Sequence, residues 1–435
     1  MLSSNLQDAL KLTEINAKFI DEIQTFNDEP RIILFHFDGR KKTLGTYLYY
    51  LFETKNILIL NPSNRTSYSS NFHGNLPYEN VFNLESFPDS HGINFDLAKN
   101  ELLSKSIRLI IPTSGTTASP KLVCFSEKKL NIAAKNIAHS LSINRNDIAS
   151  GYLPTNYGYG LSVLHSHIFS NSKFLLPEPN EKFIDHLKNS RCTNYYTVPS
   201  MLKFINKFAD KIFGTTNAKK ICQAGGPLNN TDIEFWSETC NKYNIEFIRM
   251  YGQTECGPRI SCLRGDEYLE NEHSVGKAIK GASIEISNIN NEILIKSDML
   301  ADGYFNEKDN KWSIEELPYP FPTGDIGELN NNGYLLIRGR SSRFVKIQDI
   351  RLSLDEIEFF IQENIKVDVA AFQLNDYLAI VPSQEIHIEQ VKFLNILSKQ
   401  FGISKRNIKI FSAKFFTLNG NNKKDYPNMK AKVAN

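Results

Sequence analysis

The sequence lacks several features that would place it in a specialised class of protein. Its 435 residues include six Cys, none in the CxxC spacing of redox or zinc motifs. No apolar run approaches the roughly 20 residues that a membrane span needs, and no charged-then-apolar leader precedes the first helical pattern. These absences favour a reduced, cytoplasmic setting over a secreted or membrane-embedded one.

Charge of one sign is also missing. Lys and Arg total 50 against 48 Asp and Glu, so the net charge of +2 predicts no binding to nucleic acid or to a membrane surface. His165 and His167 form an HxH pair, but no Cys or carboxylate ligand set lies near them. We therefore expect ordinary histidines there rather than a metal site.

The pattern of apolar runs predicts an α/β fold with a second, smaller domain. Apolar strand-like runs alternate with amphipathic helical patterns up to about residue 280, including strands at 31–37, 56–61 and 107–113 and a helix at 127–141. Hairpin-like segments follow. We expect a large N-terminal layered α/β domain at 1–340, with mainly parallel sheets and a small β subdomain, and a small α+β domain at 341–435.

The stretch TSGTTASPK (113–121) follows the third of these strands. Its small residues would let consecutive backbone N–H groups point inward, and its hydroxyls and Lys121 add further donors, as a polyphosphate requires. It is not a P-loop, because it lacks the second Gly and a Ser or Thr after the Lys. Taken alone, it fits a Ser/Thr-rich turn with a solvated lysine equally well.

Two further stretches carry polar groups, one at the end of a strand and one in a loop. YGQTE (251–255) follows an apolar strand, at the end where ligands bind in open α/β sheets. Its Tyr could stack on a purine, and its Glu could carry Mg²⁺. TGD (323–325) places an Asp in a Gly-flanked loop, where it could accept hydrogen bonds from ribose hydroxyls. Each stretch also fits a simple turn.

Together, TSGTTASPK, AGGPL (224–228), YGQTE, TGD, GR (339–340) and a Lys-rich C-terminus occur in one order. That order resembles the adenylate-forming, AMP-dependent synthetase superfamily, which includes acyl- and aryl-CoA synthetases, nonribosomal peptide synthetase adenylation domains and luciferases. The resemblance covers about residues 107–425. It implies that ATP activates a carboxylic acid to an acyl-AMP with release of pyrophosphate, and that the acyl group then passes to a thiol.

The resemblance also assigns roles to residues. The β- and γ-phosphates of ATP would be held by Thr113, Ser114, Gly115, Thr116, Thr117 and Lys121. The adenine would lie between Gly225, Gly226 and Pro227 and the ring of Tyr251, which Gly252 follows. Thr254 would contact the α-phosphate, Glu255 would carry Mg²⁺, and Asp325 and Arg340 would hold the ribose.

The C-terminal region departs from the family in three ways. The family's catalytic lysine would be Lys423 in LNGNNKKDYP, with Lys424 as the second choice. The hinge of the mobile small domain, near 340–343, would fall on Ser342. Asp349 replaces a Gly that lies near the pantetheine route in relatives, which puts the thioester step in more doubt than adenylation.

The acyl pocket of relatives corresponds in part to residues 152–176. No carboxylate lies in that segment, and Gly158 falls where amino-acid-activating relatives carry an Asp, so an α-amino acid is disfavoured. Asn156, Tyr157 and Tyr159 are the other pocket residues expected from the alignment. They favour a small or hydroxylated acid.

Three alternatives remain open on the sequence alone. The thiol could belong to CoA or to the phosphopantetheine of a carrier protein. The enzyme could stop at the adenylate or use an amine acceptor. It could also be a degenerate member that binds nucleotide without turnover, since Ala118 replaces a loop Gly that relatives carry; at φ > 0 this would cost roughly 1 kcal/mol.

Overall fold

The computed structural model of the protein describes residues 5–15, 30–36, 40–61, 81–83, 95–113, 121–178, 181–189, 191–265, 267–308, 311–347, 350–386, 388–418 and 424–434. Within these ranges the α-helices are α1 (Leu6–Leu12), α2 (Lys41–Glu53), α3 (Phe95–Ser104), α4 (Glu127–Ser140), α5 (Gly158–Phe169), α6 (Phe183–Asn189), α7 (Pro199–Ile205), α8 (Ala209–Phe213), α9 (Asn230–Lys242), α10 (Glu267–Glu270), α11 (Leu354–Ile365), α12 (Gln390–Phe401) and α13 (Tyr426–Ala434). None of the helices described is both long and apolar enough to cross a membrane.

The strands within these ranges divide among five sheets. They are β1 (Ile32–His36), β2 (Ile57–Asn61), β3 (Val81–Asn83), β4 (Ile107–Pro112), β5 (Leu122–Ser126), β6 (Ile148–Ser150), β7 (Lys173–Leu175), β8 (Asn194–Thr197), β9 (Lys220–Gln223), β10 (Glu246–Tyr251), β11 (Ser261–Leu263), β12 (Lys277–Ala278), β13 (Ala282–Ile286), β14 (Glu292–Ser297), β15 (Gly303–Lys308), β16 (Lys311–Glu315), β17 (Phe321–Leu329), β18 (Leu335–Arg340), β19 (Phe344–Ile347), β20 (Ile350–Ser353), β21 (Val369–Leu374), β22 (Tyr377–Pro382) and β23 (Ile408–Ile410).

The first seven-stranded sheet has the order β16-β15-β5-β4-β2-β1-β3. Strands β1, β2 and β4 run parallel, and all six residues of β4 are buried. Because a parallel strand is covered on both faces, Ile and Leu dominate the sequences of these three strands, and this is why they were predictable. These strand predictions and the helix predicted at 127–141 are confirmed.

Strand β5 was not predicted, and it is the element to which the preceding loop leads. It pairs antiparallel with β4, from Pro112 against Leu122 to Ile107 against Ser126. The loop after β4 therefore joins two neighbouring strands of a hairpin, and α4 begins only after the second strand.

The second seven-stranded sheet has the order β12-β11-β10-β9-β8-β6-β7. Strands β6 to β10 run parallel to one another, whereas β11 pairs antiparallel with β10 and β12 pairs antiparallel with β11. Thr197, Gln223 and Arg249 lie in register across β8, β9 and β10. The segments that follow these three strands therefore start at one edge of the sheet, where an α/β sheet binds its ligands.

The chain forms two compact units. The first comprises Met1–Pro227, Phe235–Glu285 and Ile295–Phe321, and the second Leu228–Glu234, Ile286–Leu294 and Pro322–Asn435. The first has a large apolar core that includes Phe35, Tyr47, Phe125, Leu164 and Phe174. The mixed α/β class is as predicted; the domain boundary near residue 340 stays a prediction.

The second unit contains the hairpins β17–β18 and β19–β20 and the three-stranded sheet β21-β22-β23. Ile357, Ile361, Val369, Leu378 and Phe393 lie in its core. Helix α11 is capped by Ser353, whose hydroxyl oxygen accepts a hydrogen bond from the N–H of Glu356.

A carboxylate of α11 binds several parts of the second unit together. Glu358 accepts hydrogen bonds from the N–H of Ala371 at 2.7 Å, from the ammonium of Lys424 at 2.7 Å and from the hydroxyl of Tyr426 at 3.0 Å. The guanidinium of Arg343 is its fourth donor. The Glu358 carboxylate therefore links the chain after β18, strand β21 and the C-terminal segment.

Candidate active site

The loop between β4 and β5 is closed at its base. The N–H of Thr113 donates to the carbonyl of Lys121 at 2.8 Å, and the N–H of Lys121 donates to the Thr113 hydroxyl at 3.2 Å. This pair continues the ladder of the hairpin by one step. Ser114, Gly115, Thr116, Thr117 and Ala118, which the sequence assigns to phosphate binding or to its tuning, lie outside the described residues.

One tyrosine connects the base of this loop with the YGQTE segment. The Lys121 ammonium lies over the ring of Tyr304, 4.5 Å from its centroid, and the Tyr304 hydroxyl donates to Glu255 Oε1 at 3.1 Å. Burial and the adjacent Glu255 carboxylate raise the pKa of Tyr304, so the phenol keeps its proton and acts as a donor. Sequence reasoning missed Tyr304, whose position depends on the pairing of β15 with β5.

The YGQTE segment ends in a 3-10 turn, Thr254–Cys256, that is fixed from both sides. The carbonyl of Glu255 accepts a hydrogen bond from the N–H of Ala301 at 2.8 Å. A Cβ on Gly252 would lie 2.1 Å from the carbonyl oxygen of Pro258, so only glycine permits this close approach. The backbone thus holds Thr254 and Glu255 at the C-terminal end of β10.

The residues assigned to the adenine lie at the same edge of the sheet. Gly225, Gly226 and Pro227 follow β9 and are exposed, whereas Tyr251 is the last residue of the neighbouring strand β10 and is 9% exposed. Gln223 donates to the carbonyl of Gly226 at 2.8 Å and braces the turn. The two segments lie on adjacent strands, as a shared adenine site requires.

The first residue of α5 contacts the residue assigned to the α-phosphate. A Cβ on Gly158 would lie 3.1 Å from Thr254 Oγ1, which leaves no room for an aspartate at this position without displacing Thr254. Just before the helix, Thr155 and Asn156 are each 2% exposed, and Thr155 Oγ1 and Asn156 Nδ2 have no hydrogen-bond partner among the described residues. Tyr157 lies between them and the helix and is half-buried.

The hydroxyl and the ring of Tyr159 are both bound by other residues of the protein. Its hydroxyl donates to the carbonyl of Cys222 at 3.0 Å, with a longer contact to that of Thr197, and burial raises its pKa. The guanidinium of Arg259 lies over its ring, 4.3 Å from the centroid. The Tyr159 hydroxyl is thus already hydrogen-bonded to strand carbonyls. Sequence reasoning did not single out Arg259.

His165 and His167 on α5 are buried and bonded to hydroxyl groups. His165 Nε2 lies 2.8 Å from the Tyr47 hydroxyl, and His167 Nε2 lies 2.9 Å from that of Tyr196. Burial lowers the pKa of His165 to about 4 and that of His167 to about 3, so both are neutral at pH 7. Among the described residues, no cluster of three or more His, Cys, Asp or Glu side chains could hold a metal ion.

In the second unit, Asp325 and Arg340 face each other across β17 and β18. The expectation that Asp325 lies in a Gly-flanked loop is wrong, because TGD is part of strand β17. Asp325 and Arg340 are partners in the strand register, and Arg340 Nε lies 3.0 Å from Asp325 Oδ1. Asp325 is 5% exposed, whereas the Arg340 side chain is half exposed. The two residues assigned to the ribose are therefore brought together as a pair.

Asp355 ties together the two ends of the expected hinge. Its Oδ2 accepts from the N–H of Arg340 at 3.0 Å, and its Oδ1 accepts from Nε of Arg343 at 2.8 Å. Between them, Ser341–Arg343 form a 3-10 turn in which Ser342 is exposed. The hinge assigned to Ser342 stays a prediction.

Lys424, the second choice for the catalytic lysine, is fully engaged in the structure. Its ammonium donates to Glu358 at 2.7 Å, to the carbonyl of Val369 at 2.6 Å and lies 2.9 Å from Asp368 Oδ1. An ammonium has three N–H donors, and all three are used. Lys423 and Asp349 lie outside the described residues.

Comparison with known proteins identifies the family to which this chain belongs. A family model described as AMP-binding enzyme matches residues 56–305, more than half of the chain. The 2-succinylbenzoate–CoA ligase of Listeria monocytogenes is 28% identical over 285 residues, which cover 65% of this chain and 60% of that protein. That of Staphylococcus epidermidis is 27% identical over 273 residues and is covered to 56%. The match thus spans less than two thirds of these relatives.

Solved structures have the same fold over nearly the whole chain. The O-succinylbenzoate coenzyme A synthetase of Bacillus subtilis, in complex with ATP and a magnesium ion, has a TM-score of 0.70 at 18% identity, and the match covers 98% of this chain and 92% of that one. The ATP-bound MatB of Rhodopseudomonas palustris has a TM-score of 0.72 at 15% identity, with 98% and 92% covered. These likenesses agree with the predicted α/β architecture.

Proposed function

We propose, because the chain belongs to the AMP-binding enzyme family, that it is an AMP-forming acid–thiol ligase. A carboxylate of the acid would attack the α-phosphorus of ATP, forming an acyl-AMP as the bond between the α- and β-phosphates breaks and pyrophosphate leaves. A thiol would then attack the acyl carbon, forming a thioester and releasing AMP. Activation is needed because the delocalised charge of a carboxylate makes it a poor electrophile.

The observation that carries the proposal is the connected set Lys121, Tyr304 and Glu255, together with Thr254 against Gly158. It brings a cation, a carboxylate and a hydroxyl to the C-terminal edge of the sheets, beside the start of the proposed acyl pocket. Phosphoryl transfer depends mainly on positioning and on charge stabilisation around the phosphates. These residues supply the groups that such a reaction uses.

The residues present fit a magnesium ion shared with ATP. Glu255 Oε1 accepts from Tyr304, while Oε2 has no hydrogen-bond partner among the described residues and the side chain is only half-buried. Mg²⁺ typically takes one or two carboxylates, with substrate phosphates and water completing its octahedron. Bound there, it would neutralise charge on the leaving pyrophosphate. Glu255 would hold it, and Tyr304 would orient Glu255.

For the remaining nucleotide contacts we propose the roles given by the family resemblance. Thr113 and Lys121 would hold the terminal phosphates with the loop between them. Tyr251 would stack on the adenine opposite Gly225, and the Asp325 carboxylate would accept hydrogen bonds from the ribose hydroxyls. The Asp325–Arg340 ion pair supports this last role, because the contact with Arg340 Nε fixes the position of the Asp325 carboxylate.

We propose Lys423 as the lysine that bridges the acid and the α-phosphate during adenylation. The contacts of Lys424 support this choice: a lysine whose three N–H groups are bound to Glu358, Asp368 and Val369 has no donor left for a substrate. Replacement of Lys423 by Ala should abolish adenylation and spare thioester formation from a pre-formed adenylate.

CoA is the acceptor that we propose first, since the curated relatives are named as CoA ligases. A carrier protein remains the alternative thiol, and Asp349 keeps open an enzyme that stops at the adenylate. For the acid, the absence of a carboxylate between residues 151 and 176 disfavours α-amino acids. The names of the relatives make 2-succinylbenzoate the first acid to test.

The test is acid-dependent exchange of labelled pyrophosphate into ATP. The panel would contain 2-succinylbenzoate and aliphatic, aromatic, hydroxy and amino acids, followed by CoA and a holo carrier protein as acceptors. We expect exchange with at least one non-amino acid, and thioester formation with CoA. Lys430→Ala, an exposed lysine of α13, is the control for Lys423→Ala and should keep full exchange.

Two results would contradict the proposal in different ways. Measurable ATP binding without exchange for any acid would indicate the degenerate, nucleotide-binding member. Equal loss of both half-reactions in Lys423→Ala would refute the assignment of that lysine while leaving the overall activity intact as a proposal.

A further inference from the structure

Arg259 is a fully buried cation beside the proposed acyl pocket. It is 1% exposed, its Nη1 donates to the Ser162 hydroxyl at 2.5 Å, and its Nε contacts the sulfur of Met250 at 3.3 Å. Its guanidinium also covers the ring of Tyr159. These contacts fix the side chain between α5 and β10.

The charge of Arg259 is not neutralised within the described residues. No carboxylate there pairs with it, and its Nη2 has no hydrogen-bond partner. Arg264, by contrast, pairs with Glu246 at 2.8 Å, and the buried Arg108 donates to four backbone carbonyls and lies 3.7 Å from Glu127. A buried charge without a partner is costly, so a fold retains one where a ligand supplies the opposite charge.

Arg259 is connected through α5 to the residues of the proposed adenylation centre. Ser162, its hydroxyl partner, lies four residues along α5 from Gly158, which is on the order of 6 Å of helix. Gly158 contacts Thr254, the residue proposed to touch the α-phosphate. The unpaired donors Thr155 Oγ1 and Asn156 Nδ2 precede the same helix and are also buried. Buried hydrogen-bond donors without acceptors among the described residues therefore lie just before α5 and against Ser162 of that helix.

We propose that Arg259 determines specificity by binding a second carboxylate of the acid substrate. The inference rests on the proposed function: one carboxylate would be adenylated near Thr254, and the other would accept hydrogen bonds from Arg259 Nη2. The substrate class is thus a small dicarboxylic acid. Tyr159 and Ser162 act as positioning residues, because the Tyr159 hydroxyl is anchored to Cys222 and its ring forms a fixed face for the guanidinium.

The experiment compares acids that differ by one carboxylate. The pairs are 2-succinylbenzoate with 3-benzoylpropionate, the same acid without the ring carboxylate, and glutarate with monomethyl glutarate. The readout is kcat/KM for acid-dependent pyrophosphate exchange. In the wild type we expect the diacid of at least one pair to exceed its partner by about 10²-fold, since a site with a buried polar group rejects an analogue that leaves it unpaired.

Variants of the arginine and of its anchor test the residue itself. Arg259→Met should reduce this ratio to near one by lowering kcat/KM for the diacid. Since this change alters a buried position, Arg259→Lys and Ser162→Ala serve as milder variants, checked by their thermal unfolding. Ser162→Ala should raise KM for the diacid several-fold with little change in kcat, and Arg259→Lys should retain part of the ratio because it keeps the charge but loses the planar fork.

The outcomes separate this inference from the proposed function. Exchange with monoacids at least as efficient as with diacids, or a ratio unchanged in folded Arg259→Met and Ser162→Ala, would overturn the role of Arg259 and leave the ligase intact. Absence of exchange with every acid in the wild type would overturn the proposed function and this inference together. A ratio that collapses in Arg259→Met but persists for the exposed control Arg145→Met would support it.

Discussion

Replacing Lys424 by Met should destabilise the second compact unit without removing Lys423, the lysine proposed for catalysis. The ammonium of Lys424 donates to the Glu358 carboxylate and the Val369 carbonyl and forms an ion pair with Asp368. Burial alone would lower the pKa of Lys424, but the Glu358 and Asp368 carboxylates override it and raise the pKa. The group therefore stays charged at neutral pH and acts as a structural cation.

The loss of stability in Lys424→Met depends on which of its partners are left without a hydrogen-bond donor. Breaking a buried ion pair costs roughly 3–5 kcal/mol, but Glu358 would keep three other donors, including Arg343 and Tyr426. Asp368 is 43% exposed and would be solvated instead, so its share is small. We expect a loss of about 2–3 kcal/mol, which is roughly a 30- to 150-fold increase in local opening.

Amide hydrogen exchange of peptides from α11 and β21 measures this opening, and pyrophosphate exchange measures adenylation. Lys424→Met should lose protection in these peptides while the unit remains folded enough for adenylation, and Lys430→Ala should change neither. Unchanged protection together with abolished adenylation would refute the reasoning, because Lys424 would then be the catalytic lysine.

Three further predictions concern pH, magnesium and the ribose. Because the pKa values of His165 and His167 are lowered to about 4 and about 3, the unfolded chain binds protons below pH 6.5 that the folded protein does not. The contribution of these neutral histidines to the free energy of unfolding is therefore fully present above pH 6.5 and should fall towards pH 4 by about 1.4 kcal/mol per histidine and pH unit. In urea unfolding, His167→Gln should roughly halve this slope, whereas His139→Gln, at an exposed position, should leave it unchanged. Tyr304→Phe removes about 1 kcal/mol of hydrogen bonding to the adjacent carboxylate, so the Mg²⁺ concentration for half-maximal exchange should rise several-fold, and an unchanged titration would contradict the orienting role. Asp325→Asn should raise KM for ATP and lose discrimination against 2′- and 3′-deoxy-ATP, whereas discrimination equal to the wild type would exclude a ribose contact.

The buried parallel strands were predictable because burial on both faces makes their sequence continuously apolar, as in Ile32–His36 and Ile57–Asn61. Strand β5 was not, because its five residues run directly into α4 with no turn residue between them. The YGQTE segment was correctly expected at the end of a strand, and AGGPL also follows a strand. Their proximity depends on β9 and β10 being neighbours.

Other parts of the site depend on non-local packing that leaves no local signal. Tyr304 reaches Glu255 only because β15 pairs with β5, which lies about 180 residues earlier in the chain. Arg259 follows Pro258 in a polar loop, where a solvated side chain is the usual expectation, and its burial comes from α5 closing over it. The use of Lys424 as an internal cation was likewise hidden, since adjacent lysines look alike in sequence.

The Asp355 carboxylate would influence the balance between the two proposed half-reactions. If the small domain turns about Ser342, the chain cannot rotate there and keep both the Arg340 N–H and the Arg343 guanidinium bound to the same carboxylate. A charge-assisted hydrogen bond contributes about 1.5–3 kcal/mol. The conformer in which Asp355 binds both arginines would therefore outnumber the rotated one by roughly ten- to a hundredfold. The fraction of molecules ready for each half-reaction would then depend on a residue that touches no substrate.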